Sequence, residues 1–132
     1  MAKQKSWQKP KEKWNGFVYI IKLEIGSETI YKIGTTNRTP IKRKLEIAEE
    51  MNRLLGYIPK MMLIRAKQTK DNYAVEAQLL KQTEQYRYTL KCDGEMNGES
   101  ELRQMTEIDL LNQYDHCIAT NYPAEIEFKV EL

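Results

Sequence analysis

Four polar side chains in this 132-residue chain stand beside or within apolar runs, at positions where each could act on a charged substrate. Tyr19 lies inside Phe17-Val18-Tyr19-Ile20-Ile21, and Lys32 inside Tyr31-Lys32-Ile33-Gly34-Thr35-Thr36. Arg43 follows nine residues after Gly34, and Glu76 comes later, on a second helical stretch. A phenol accepts a proton at neutral pH only with help, because its ordinary pKa is about 10. A nearby ammonium such as that of Lys32 would favour the phenolate. A lysine whose own pKa is lowered by Arg43 is the alternative base, and the residues leave both open. Arginine offers a planar fork that grips an oxyanion in two places. Glutamate offers a hard oxygen ligand of the kind Mg²⁺ takes, an ion that commonly uses one or two carboxylates and keeps its remaining waters. Each residue also has an ordinary role: half-buried strand aromatic, exposed strand lysine, one charge of the Lys42-Arg43-Lys44 run, solvated helix glutamate.

The elements that must position these groups can be read from turn and cap chemistry. Phe17 to Leu23 and Thr29 to Ile33 are rich in Val, Ile and Tyr around the turn-like Glu24-Ile25-Gly26-Ser27-Glu28, which predicts an antiparallel hairpin. Thr39 before Pro40 is a helix start, and Ile41, Leu45, Ala48, Met51 and Leu55 follow at helical spacing up to a stop at Gly56. Lys60 to Ala66 supplies a third strand. Asp71 caps a second helix from Asn72 to about Tyr86, with Val75, Leu79, Leu80 and Thr83 inward and Glu76 beside that stripe. Residues 91–100 lack periodicity and read as a loop, long enough to be functional. Thr106 caps a last helix to about Thr120, and residues 125–131 alternate as an edge strand does. The expected class is α/β of the α+β type: a small central three-stranded antiparallel sheet flanked by helices. The expected organisation is a Lys-rich tail over residues 1–14 and one domain over 15–132.

The joint order of two strands, a KIGTT turn, a Pro-started helix with Arg43 and a later helix with Glu76 resembles the GIY-YIG endonuclease superfamily, in its phage-type branch with YKIG as second motif. The resemblance covers about Gly16 to Arg103. It implies metal-dependent nicking or cleavage of DNA, with Tyr19, Lys32, Arg43 and Glu76 catalytic and Glu76 holding Mg²⁺ or Mn²⁺. Phosphodiester hydrolysis needs an activated water, a cation to absorb charge and help for the departing oxygen, and these residues could supply all three. Members often carry histidine or tyrosine one turn after the arginine, where this chain has Ile47. The branch also implies an acidic position near Ser100-Glu101-Leu102-Arg103, with Glu101 as a weak candidate, and a basic one at Arg87, which could equally stack between Tyr86 and Tyr88. Asn97 is a further, weaker possibility. The alternative is a catalytically inactive relative that binds DNA or inhibits a host protein, and a third reading is an interaction protein without nucleic acid.

Charge is informative by its distribution. The net charge is +2 and the sequence pI about 8.4, which does not by itself mark a nucleic-acid protein. The first thirteen residues nevertheless carry Lys3, Lys5, Lys9, Lys11 and Lys13 against Glu12, with Trp7 and Trp14 near them, while acid gathers between Asp93 and Glu131. Lys9, Lys11, Lys13, Lys42, Lys44 and Arg87 are the candidate DNA contacts, although a Lys-rich terminus is also an ordinary solubilising tail. Cys92 and Cys117, with His116 beside the latter, fit neither a disulfide framework nor a zinc spacing. No stretch reads as a signal peptide or a bilayer span, so a soluble protein of the cytoplasm, or of the host cytoplasm if phage-encoded, is expected, with a homodimer or protein partner possible.

Overall fold

The computed structural model describes residues 16–90 and 101–121. The chain forms β1 (Gly16–Ile25), β2 (Glu28–Thr36), α1 (Pro40–Leu55), β3 (Lys60–Thr69), α2 (Asn72–Gln82), a short 3₁₀ turn (Glu84–Tyr86), β4 (Leu102–Arg103) and α3 (Glu107–Asn121). It is an α+β fold, but the sheet has four strands, not three, in the order β3-β1-β2-β4 with every pairing antiparallel. The fourth strand is two residues long, too short to leave an alternation that sequence can reveal.

The hairpin forms because β-branched and aromatic residues flank a two-residue turn, Gly26-Ser27. Gly26 has φ 61° and Ser27 is not in the left-handed region, the II′ pattern that matches strand twist. β3 joins the other side of β1, with a register break between Ile20 and Ile21 that inserts Ile64 as a bulge. The alternation of β1 then covers two faces. Val18 and Ile20, with Tyr31 and Ile33 of β2, pack against Val75 and Leu79 of α2 and Leu110, Tyr114 and Cys117 of α3. Tyr19, Ile21 and Leu23, with Ile30, pack against Ile47 and Met51 of α1, Leu90 and Leu102. The Tyr114 hydroxyl donates to the Val18 carbonyl at 2.7 Å and ties α3 to the central strand.

The caps follow the side chains that could make them. The Lys42 amide donates to Thr39 Oγ1, the Ala74 amide to Asp71 Oδ1 and the Asp109 amide to Thr106 Oγ1. Gly56, at φ 84°, closes α1 through its amide to the Asn52 carbonyl at 2.9 Å. Two expectations are corrected. α2 ends at Gln82, because Thr83 turns its hydroxyl back to the Leu79 carbonyl and the chain tightens into the 3₁₀ turn. In α1 the buried positions are Ile47 and Met51, while Ile41 and Leu45 are exposed. Two apolar rows share that helix, and the sheet takes the row nearer Gly56. The expected tail, loop and final edge strand lie outside the described residues. Among the described residues, no helix is long and apolar enough to cross a membrane.

Candidate active site

Tyr19 and Gly34 are direct partners across the β1–β2 ladder. The tyrosine ring lies over the glycine so closely that a Cβ at position 34 would sit 2.3 Å from the hydroxyl oxygen and 2.4 Å from Cζ. The glycine of the KIG triplet is therefore a steric requirement of the buried tyrosine. Lys32, two residues earlier on the same face of β2, is also buried, and its ammonium pairs with Glu101 Oε1. That pairing depends on β4, whose Leu102 stands opposite Lys32 and so brings the preceding residue, Glu101, beside it.

Two further groups complete the cluster. Arg43, half-buried on α1, hydrogen-bonds the Tyr19 hydroxyl and donates to Glu46 Oε1 at 3.2 Å. Glu46 is itself gripped in two places by Arg38, at 2.7 and 2.8 Å. Glu76, half-buried on α2, comes beside Glu101 and within the field of Lys32 and Tyr19. Tyr19, Lys32, Arg43 and Glu76 are thus brought together, with Glu101 between the lysine and the second glutamate.

The electrostatics of the cluster differ from the sequence expectation. Burial pushes the Tyr19 phenol up to about 12; Arg43 works against this by charge and hydrogen bond, while Glu101 and Glu76 add to it. The cation beside the phenol is Arg43, not Lys32, so Tyr19 is a neutral hydroxyl at physiological pH rather than a phenolate poised by lysine. Burial acts against the charge of Arg43, but Tyr19 and Glu46 outweigh it and hold the guanidinium above its ordinary range. Glu76 is pushed up to about 7, first by burial and then by the Glu101 carboxylate, to which protonated Glu76 donates a hydrogen bond; Lys32 pulls the other way. Two carboxyl groups near one ammonium lack a second positive charge.

Other expected positions take separate places. Lys42 is exposed and Lys44 half-buried on α1. Arg87 is exposed and pairs with Glu84 at 3.4 Å, rather than being held between its flanking tyrosines. Ile47 is fully buried against the Tyr19 side of the sheet, as a core residue. Lys9, Lys11, Lys13 and Asn97 lie outside the described residues. Sequence reasoning missed Glu46, which orients Arg43 and whose only signal is its place one turn after that arginine. It also missed Arg103, a buried residue of β4, for which nothing in the sequence gave notice.

A small α+β domain with a buried Tyr-Arg pair and a Lys-bridged carboxylate pair at one end of its hairpin is the class that fold and cluster define. The T5orf172 domain matches residues 16–121, and the chain belongs to that family. This corrects the resemblance drawn from the YKIG motif, since the T5orf172 domain is a family distinct from GIY-YIG. The motif has a packing explanation of its own, the fit of Tyr19 over Gly34. No curated protein and no solved structure matches the chain.

Proposed function

We propose that this T5orf172 domain hydrolyses phosphodiester bonds of DNA with the help of a divalent cation. The observation that carries the reading is the carboxylate pair: Glu76, pushed up to about 7 beside Glu101, lies within the field of the Lys32 ammonium and of the neutral Tyr19 phenol, which Arg43 holds. No set of three metal-ligating side chains gathers among the described residues. A pair is nevertheless what Mg²⁺ or Mn²⁺ uses when it keeps most of its waters, and a cation there would relieve the repulsion that raises Glu76. Such an ion, when bound, supplies charge stabilisation to a phosphoryl oxygen and makes a water more acidic.

The chain's own groups divide the remaining work. Arg43, oriented by Glu46, offers its fork to two non-bridging phosphate oxygens. The Tyr19 hydroxyl, held by Arg43 and kept protonated, donates to a phosphate oxygen. Lys32 offsets part of the repulsion that Glu76 meets from Glu101. As water forms its bond to phosphorus, the bond to the leaving sugar oxygen breaks, the water's proton passes to an oxygen of the Glu76–Glu101 pair, and the leaving oxygen takes a proton from solvent. The same burial supports one other reading. Tyr19 and Lys32 are covered and satisfied by Arg43 and Glu101, as they would be in a non-catalytic domain that binds DNA or a host protein.

Supercoiled plasmid incubated with Mg²⁺, with and without chelator, separates the two. Nicking that chelator stops and Glu76→Gln abolishes is expected. Retention of DNA in a gel shift without any nicking in Mg²⁺ or Mn²⁺ would transfer the case to the non-catalytic reading.

A further inference from the structure

Beside the cluster, at the start of α1, Phe17, Asn37, Arg38, Thr39, Ile41, Lys42 and Leu45 enclose an open groove of about 550 Å³. Its apolar wall is open to solvent: Ile41 and Leu45, one helical turn apart, are 57% and 61% exposed. Phe17 also lines it and, two residues before Tyr19, shares its face of β1, about 7 Å along the strand. The rim is cationic. Arg38 is engaged by Glu46, and the Lys42 side chain has no ion-pair partner among the described residues.

We propose that this groove takes the base of one unpaired nucleotide, adjacent to the phosphate that Arg43 faces, so that the chain prefers strands with a base out of the duplex. The proposal rests on the nucleic-acid reading above and adds the substrate class. Aliphatic and aromatic side chains accept the face of any base, while a lysine at the rim neutralises a flanking phosphate. The volume lies in the range of small-ligand pockets. Charge selects the occupant: two copies meeting through this face would set the Lys42 ammonium of each against the other, whereas a polyanion is attracted.

The test is fluorescence anisotropy in chelator, where no cleavage occurs, with labelled oligothymidylate and an abasic strand of the same length. The wild-type chain is expected to bind the thymidylate about tenfold more tightly, the scale of one base stacked on a protein surface. The double variant Ile41→Ser, Leu45→Ser changes exposed residues only and should erase that difference without altering the salt slope. Lys42→Ala should weaken both strands alike and reduce the slope by about 0.7. Equal wild-type binding of the two strands overturns the proposal, as does a double variant that still discriminates. So does thymidine monophosphate competing at the oligonucleotide's own concentration, or a wild-type dimer in sedimentation that the double variant dissociates. Base preference without nicking in Mg²⁺ would remove the nuclease reading and leave the groove; nicking without base preference would do the reverse.

Discussion

Lys32 and Arg103 are both 1% exposed, both lie on the strands of one sheet edge, and they are held in opposite ways. Arg103 donates to Thr83 Oγ1 at 2.9 Å and to the carbonyls of Leu102 and Leu80 at 2.9 and 3.1 Å, with Glu84 at 3.6 Å. Most of its acceptors are neutral, and burial pulls its guanidinium below the usual range. Lys32 is held by a carboxylate that has a second carboxylate at its back. A buried cation on neutral acceptors locks β4 and the end of α2 together. A buried cation between competing acids is electrically unfinished, and that difference separates a neutral lock from a cluster with unbalanced charge.

Breaking the lock should have the largest effect. Arg103→Met removes the donor that the Thr83 hydroxyl and the Leu80 and Leu102 carbonyls share, together with the ion pair to Glu84, and is expected to cost about 3–5 kcal/mol. Because most of those acceptors are neutral, urea midpoints of this variant should lie below wild type by nearly the same amount at pH 5 and pH 8. A strongly pH-dependent loss would place Arg103 in the acidic network after all.

Gly34→Ala comes next, since the new methyl meets the Tyr19 ring and hydroxyl; overpacking of this kind costs about 1–3 kcal/mol. Tyr19→Leu in the same chain should recover part of that loss, giving a coupling that two independent sites would not show. Simple additivity of the two changes would remove the packing explanation of the motif.

Lys32→Met sharpens the comparison through pH. Glu76 keeps its proton to a higher pH in the folded chain than in the unfolded one, so the folded state binds more protons between the unfolded carboxyl range and about 7. Stability from this group therefore falls as pH rises through that window. Without Lys32 the window widens, so the variant should be close to wild type near pH 4 and about 1–3 kcal/mol less stable at pH 8.

Glu76→Gln is the smallest change and has the opposite sign. It removes the repulsion and should stabilise the chain at pH 8 by on the order of 1 kcal/mol, discounted from the full shift because solvent reaches the carboxyl. The gain should vanish near pH 4, where the wild-type carboxyl is protonated in both states. Mg²⁺ should raise the melting temperature of wild type at pH 8 and leave that of Glu76→Gln unchanged. An equal rise in both would move the ion elsewhere.

What sequence could reveal here was local. The hairpin, the three caps and the Gly56 stop are written in residues a few positions apart, and turn and cap chemistry suffices to read them. α1 shows where that stops: Ile41 and Leu45 fit helical spacing as well as Ile47 and Met51 do, and only the sheet decides which row is covered. β4 was illegible because two residues carry no period. The proximity of Tyr19, Lys32, Arg43 and Glu76 was expected, but the pairing of Lys32 with Glu101 and of Tyr19 with Arg43 was not. Those pairings depend on which strand lies at the edge, a long-range fact.

The shortness of β4 also bears on when the cluster exists. Tyr19, Gly34 and Arg43 belong to one contiguous stretch that can fold early, but Lys32 meets Glu101 across 69 residues, and Val18 meets Tyr114 across 96. Contacts of such separation close late in folding, and a two-residue pairing is among the first to open again. The acidic half of the cluster is therefore a reporter of completed folding. A half-made or fraying chain keeps its arginine fork but loses the pair of acids, and cation binding between them would act as a clasp on the last strand to arrive.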